Sequence, residues 1–213
     1  MKPFDPSLYL VTDSTLYDET EFLHRAEQAL QGGVTLLQLR EKNKSTREYI
    51  ALAEKVHALA QQYHVPLIID DRVDVALAVD AEGVHLGAED MTVSMARKIL
   101  GPDKIIGATA KTVPWALDAA AQGADYLGVG AIYPTTTKVK TVLTSTDTLQ
   151  KICRAVSIPV NAIGGLNKEN MDVLAGIPIA GICVVSAIMK ADDPKAAAEA
   201  LKAKAAALQL IHL

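Results

Sequence analysis

Residues 35–71, TLLQLREKNKSTREYIALAEKVHALAQQYHVPLIIDD, contain the unit from which the whole chain is built. TLLQLR (35–40) reads as a strand that ends in long polar side chains. Ser45-Thr46-Arg47-Glu48 fits a capping box ahead of YIALAEKVHALAQQ, whose apolar residues recur at helical spacing. PLIIDD (66–71) is a second strand, again closing on charge. Strand, helix and strand follow each other with lean connections, as in a parallel βαβ unit.

Outward from this stretch the alternation continues to both ends. Further strands are expected at YLVTD (9–13), GVHLG (83–87), IIGATA (105–110), YLGVG (126–130), PVNAIGG (159–165) and GICVVSAI (181–188). Pro114 suits the first turn of a helix that Gly123 would end, and Asp193-Pro194 opens an Ala-rich last helix. The connection RVDVALAVDAE (72–82) barely holds two or three helical turns. The strands are apolar without strict alternation, as expected of parallel strands covered by helices. Eight strands in repeated βα units predict a single-domain (β/α)8 TIM barrel over residues 1–213, with no linker and no second domain.

Half the residues are hydrophobic but only 4% are aromatic, so the core must be built from Ala, Val, Leu and Ile. A net charge of −4 gives no reason to expect nucleic acid or an anionic membrane as partner. Cys153 and Cys183 stand apart in apolar surroundings and read as reduced core thiols. MKPFDPSLYLVTD lacks the long apolar region of a signal peptide, and no apolar run reaches the roughly 18 residues of a membrane span. A cytoplasmic protein is expected, and a homo-oligomer is compatible with the sequence.

In such barrels the active site forms at the C-terminal ends of the strands. The polar residues of this chain gather there. Strand 2 ends in Gln38, Arg40 and Lys42, which strand alternation puts on one face. Strand 3 ends in Asp70-Asp71, strand 4 is followed by Glu89-Asp90, and strand 5 ends in Thr109 and Lys111. Strand 6 runs into AIYPTTTK, with Thr135, Thr136, Thr137 and Lys138; strand 7 ends in Gly164-Gly165, and strand 8 carries Ser186. Singly, each has a structural explanation: a solvated rim charge, a helix cap, a loop. Together they form one chemistry. Arg40, Lys42 and Lys138 with hydroxyl donors make a cradle for a highly charged anion such as pyrophosphate. Asp71 and Asp90 would repel that anion unless a cation lay between, and Mg²⁺ suits the role. Gly164-Gly165 with Val185-Ser186 suggest a second phosphate site. No residue looks like an activated nucleophile, and His85, inside strand 4, reads as structural.

QLREK (38–42), IIDDRVDVALAVDAEGVHLGAED (68–90), GADYLGVGAIYPTTTK (123–138), AIGG (162–165) and VVSAI (184–188) come in an order and spacing that resemble the thiamine-phosphate synthase family along nearly the whole chain. The resemblance implies an Mg²⁺-dependent transferase. It would join 4-amino-2-methyl-5-diphosphomethylpyrimidine to a thiazole phosphate, giving thiamine phosphate and pyrophosphate. By the same resemblance Gln38, Arg40 and Lys42 hold the pyrimidine diphosphate, Asp70 and Thr109 line its pocket, and Lys138 grips the diphosphate. Asp71 and Asp90 bind Mg²⁺, and Thr135, Thr136, Thr137, Gly165, Val185 and Ser186 receive the thiazole phosphate. The family is thought to ionise the diphosphate to a pyrimidine-methyl cation that the thiazole nitrogen captures.

This chain departs from the family pattern in several places. Asp70 stands where Asn is usual, Thr109 replaces a commoner Ser, Lys111 stands where His is frequent, and VKTVLTST (139–146) lacks the acidic, glycine-bearing pattern expected after Lys138. The competing activities are a thiazole tautomerase-like paralogue, a non-catalytic thiazole- or thiamine-phosphate binder, and a sugar-phosphate isomerase or decarboxylase using Asp70 with Lys111 as acid and base.

Overall fold

A computed structural model describes residues 4–135 and 142–210. Eight parallel strands close into a barrel in sequence order, β1 pairing with both β2 and β8. They are β1 Leu8–Val11, β2 Leu36–Leu39, β3 Leu67–Asp70, β4 Gly83–Leu86, β5 Ile105–Ala110, β6 Tyr126–Gly130, β7 Val160–Ile163 and β8 Gly181–Val184. The surrounding helices are α1 Glu19–Gln31, α2 Thr46–Gln62, α3 Val73–Ala78, α4 Val93–Leu100, α5 Val113–Ala121, α6 Thr146–Ala155, α7 Ser186–Met189 and α8 Pro194–Ala207. A 3₁₀ turn, Met171–Leu174, takes the place of a helix between β7 and β8. Among the described residues no helix is long and apolar enough to cross a membrane.

The expected local signals shape these elements. Ser45 and Glu48 form the capping box reciprocally, Pro114 lies in the first turn of α5, and the Asp193 side chain accepts from Ala196 N at the start of α8. The connection after β3 holds a helix of only six residues. One expectation fails: strand 8 stops at Val184, and Ser186 is the first residue of α7. A run of apolar residues cannot itself reveal where strand gives way to helix, and GICVVSAI contains both.

The strand alternation invisible in the sequence is plain in the packing. Leu8, Leu10, Leu37, Leu39, Leu67, Ile69, Val84, Leu86, Ile106, Leu127, Val129, Ile182 and Val184 face outward into the layer between sheet and helices. Tyr9, Val11, Leu36, Ile68, Ile105, Tyr126 and Cys183 face inward and fill the barrel. Both faces are apolar, which erases the period-two signal. Gly107 on β5 makes room inside: a Cβ there would lie 2.1 Å from the Tyr126 ring. The N-terminal segment closes the bottom of the barrel, with Phe4 edge-on to Tyr126 at 5.7 Å and Pro6 O accepting from Asn161 Nδ2 at 2.6 Å.

Candidate active site

The C-terminal ends of β2 and β3 bring cations and carboxylates into contact. Tyr49 on α2 donates to Leu39 O at 2.7 Å and pins the end of β2, beyond which Arg40 and Lys42 extend. Lys42 Nζ lies 2.7 Å from Asp70 Oδ2, an ion pair rather than an aligned hydrogen bond, and it also donates to Asp71 Oδ2. Arg40 Nε is 3.8 Å from Asp70 Oδ2. Asp71 takes a left-handed turn, φ 60°, and donates its N–H to His85 O at 2.8 Å. Asp is among the side chains that tolerate this conformation.

Asp71 meets Asp90 through a side-chain hydrogen bond, while Asp90 Oδ2 also accepts from Gly87 N at 2.7 Å. Burial raises the Asp90 carboxyl, and the bond to Asp71 raises it further. Burial also opposes ionisation of Asp71, but the bonds from Lys42 and Asp90 outweigh it and hold this carboxyl below its usual value. Burial and the charge of Asp71 push Asp70 up against Lys42 and Arg40. The Asp71 and Asp90 carboxylates offer hard oxygen donors of the kind that suit Mg²⁺, though among the described residues no group of three or more His, Cys, Asp or Glu side chains is placed to hold a metal ion.

Beside this cluster a cavity of about 170 Å³ opens into the barrel mouth. It is lined by Gln38, Arg40, Asp70, Thr109, Thr135, Gly165, Val185 and Ser186 among others. Of the predicted site residues, these eight converge on one space. Asp70 joins the cavity to the carboxylate cluster, and Lys42, Asp71 and Asp90 lie at its edge rather than in its wall. Thr136, Thr137 and Lys138 lie outside the described residues. On the β7–β8 side Gly164 and Gly165 turn with φ of 104° and 64°, and Asn170 Nδ2 holds Gly165 O at 2.8 Å. Those angles keep side chains out of the turn and leave its backbone N–H groups open to an anion.

Sequence reasoning missed several wall residues. His85, read as structural, lines the cavity and contacts Thr109 Oγ1 through Nε2 at 3.0 Å. Tyr9 and Asn161 line it as well. Only the barrel register reveals His85: it is the partner of Asp70, so both point inward at the same level. Lys111 also faces the cavity, and among the described residues no carboxylate pairs with it. Asp70 is engaged by Lys42 and Arg40 instead, which removes the acid–base pair a sugar-phosphate isomerase would need.

Comparison with known proteins follows the same lines. The model of the thiamine monophosphate synthase family matches residues 8–188. The chain belongs to that family. Thiamine-phosphate synthase 2 of Streptococcus pneumoniae serotype 4 is 53% identical over 197 residues, covering 92% of this chain and 94% of that protein. Thiamine-phosphate synthase of Enterococcus faecalis is 53% identical over 186 residues, 87% of this chain and 88% of its own. The structure of a thiamine phosphate pyrophosphorylase from Pyrococcus furiosus superposes with a TM-score of 0.87 at 41% identity, covering 95% of this chain and 96% of that one. This thiamine monophosphate synthase family member therefore matches its relatives over nearly their whole length.

Proposed function

We infer that this protein makes thiamine phosphate, transferring the 4-amino-2-methylpyrimidin-5-ylmethyl group from its diphosphate to thiazole phosphate with release of pyrophosphate. The observation that carries this is the pairing of two anion-binding regions across one cavity. Arg40 stands in one wall with Lys42 at the adjoining edge, and the Gly164–Gly165 turn with Val185 and Ser186 stands at the other. A tautomerase or a passive binder has no need of the first.

Arg40 and Lys42, joined by Lys138, hold the diphosphate oxygens and stabilise the charge that gathers on the leaving group. Asp71 and Asp90 would hold Mg²⁺, which when bound supplies further charge neutralisation for pyrophosphate. Gln38, Asp70 and Thr109 face the pyrimidine ring. Thr135, Thr136, Thr137, Gly165, Val185 and Ser186 hold the thiazole phosphate so that its ring nitrogen faces the pyrimidine methylene carbon. That nitrogen attacks with its own lone pair and has no proton to lose, so no general base is required. The work of the residues is to orient two substrates and exclude water. We place the protein in the cytoplasm, where both free cysteines stay reduced.

Purified protein given both substrates with Mg²⁺ should release pyrophosphate and thiamine phosphate in equal amounts. EDTA should stop it. Arg40→Ala should retain the fold while turnover falls by roughly 10²–10³, the loss of about 2–4 kcal/mol of charge stabilisation. No pyrophosphate from the parent protein, or Arg40→Ala turnover within a few-fold of it, would overturn the assignment.

A further inference from the structure

Beneath the cavity runs an unbroken chain of hydrogen bonds that the transfer reaction does not explain. Gln38 Nε2 donates to the Tyr9 hydroxyl at 2.5 Å. The Tyr9 and Tyr126 hydroxyls lie 2.7 Å apart, Tyr126 Oη is 3.0 Å from His85 Nδ1, and His85 Nε2 is 3.0 Å from Thr109 Oγ1. Gln38, Tyr9 and Tyr126 are almost wholly buried, so no solvent competes for these groups. Burial pushes both phenols well above their usual range, which keeps them neutral O–H donors.

Each phenol has one proton to give and, being buried, must place it in a bond, so along this chain the sense of one bond sets the next. Gln38 donates to Tyr9, hence Tyr9 donates to Tyr126, and Tyr126 donates to His85 Nδ1. His85 then carries its hydrogen on Nε2 and donates to Thr109. That leaves two groups turned to the cavity with a set polarity: Gln38 Oε1 as acceptor and the Thr109 O–H as donor. The opposite pattern requires a flipped Gln38 amide and reversal of all four bonds together. We propose that Tyr9, Tyr126 and His85 are positioning residues that act as one unit, setting the cavity to accept a ring with an amino donor at one edge and a nitrogen acceptor at another, and to reject the corresponding oxo ring.

The proposal rests on the pyrimidine substrate inferred above and gives its pocket a mechanism of selection. An oxo ring presents an acceptor to Gln38 Oε1 and an N–H to the Thr109 donor, so each wall is mismatched. A site built to bond a polar group discriminates strongly against a ligand that leaves its buried partners unmatched.

Nitrogen-15 spectra of the imidazoles test the chain without turnover, with the His85 resonance identified by its loss in His85→Gln. His85 should be a single neutral Nε2–H tautomer in the parent and a tautomer mixture in Tyr126→Phe. With kinetics, kcat/KM for the amino diphosphate over its 4-oxo analogue should be roughly a hundredfold or more in the parent. Tyr126→Phe should cut that ratio at least tenfold while KM for thiazole phosphate stays within about twofold. Should Tyr126→Phe not fold, Tyr9→Phe breaks the chain one bond earlier and should lower the ratio alike. An Nδ1–H or mixed tautomer in the parent, or an unchanged ratio in a folded variant, overturns the proposal. A single Nε2–H tautomer in a protein without synthase activity would overturn the reaction and keep the chain.

Discussion

At Asp70 a single carboxylate sits where three interests meet. It is buried, it lines the cavity, and it draws on Lys42 and Arg40, the two cations assigned to the diphosphate. A carboxylate here spends their charge before the substrate arrives. Asp70→Asn preserves shape and releases both cations, so KM for the pyrimidine diphosphate should fall about fivefold, equivalent to about 1 kcal/mol. A raised KM with a large fall in kcat would show instead that Asp70 steadies the developing pyrimidine cation. Burial raises the Asp70 carboxyl in the folded protein, so its contribution to stability is present below the ordinary carboxylate range and is lost as pH rises through the folded value. Asn removes that dependence. Chemical denaturation at several pH values should therefore show Asp70→Asn gaining on the parent as pH climbs from about 4 toward neutrality.

The elements divide by which end of the barrel they serve. At the N-terminal end Arg97 on α4 donates to Lys104 O at 2.6 Å, Gly123 O at 2.9 Å and Asp125 Oδ2 at 2.6 Å, and Asp125 Oδ2 also accepts from Ile106 N at 2.7 Å. This clamp ties α4 to the approaches of β5 and β6, far from the cavity. Asp125→Ala strands a guanidinium and a backbone N–H together. It should lower stability by about 2–3 kcal/mol, a Tm drop of roughly 5–10 °C, with kcat/KM unchanged below the transition. A comparable loss of activity at low temperature would mean that the two ends are not independent. Legibility in the sequence follows the same division. The eight strands could be read because each is a short β-branched or leucine-rich run set off by caps such as Ser45 and Asp193. Rim residues such as Arg40 and Asp71 could be read because charge at the end of an apolar run is conspicuous. Tyr9 and His85 could not, because they lie within strands whose neighbours on both faces are apolar, and only the register shows that they point inward. Ser186 was misplaced for a related reason, since hydrophobicity does not change where β8 becomes α7.

Over the whole molecule the charge balance runs against the substrates, and the mouth of the barrel must overcome it. The net charge is −4, while a diphosphate and a phosphate ester must both enter. Surface carboxylates spread around the barrel are screened beyond the Debye length of about 8 Å at physiological salt, so the charges lining the cavity decide the local potential. There Lys42 is matched by Asp70 and Asp71, and Arg40 by Asp70, whereas Lys111 has no carboxylate partner among the described residues. Lys111 therefore supplies positive charge that no carboxylate among the described residues cancels. KM for the pyrimidine diphosphate should rise several-fold between about 20 and 200 mM salt, because screening weakens attraction between an open cation and a multivalent anion. Lys111→Gln keeps a long polar side chain and removes the charge; it should raise KM in low salt by roughly three- to tenfold, about 1 kcal/mol, and flatten the salt dependence. Kinetics of both proteins across that salt range separate this from a packing defect, which would raise KM equally at every ionic strength. Parallel salt curves for parent and variant would show that the attraction arises elsewhere and that Lys111 is a bystander at the rim.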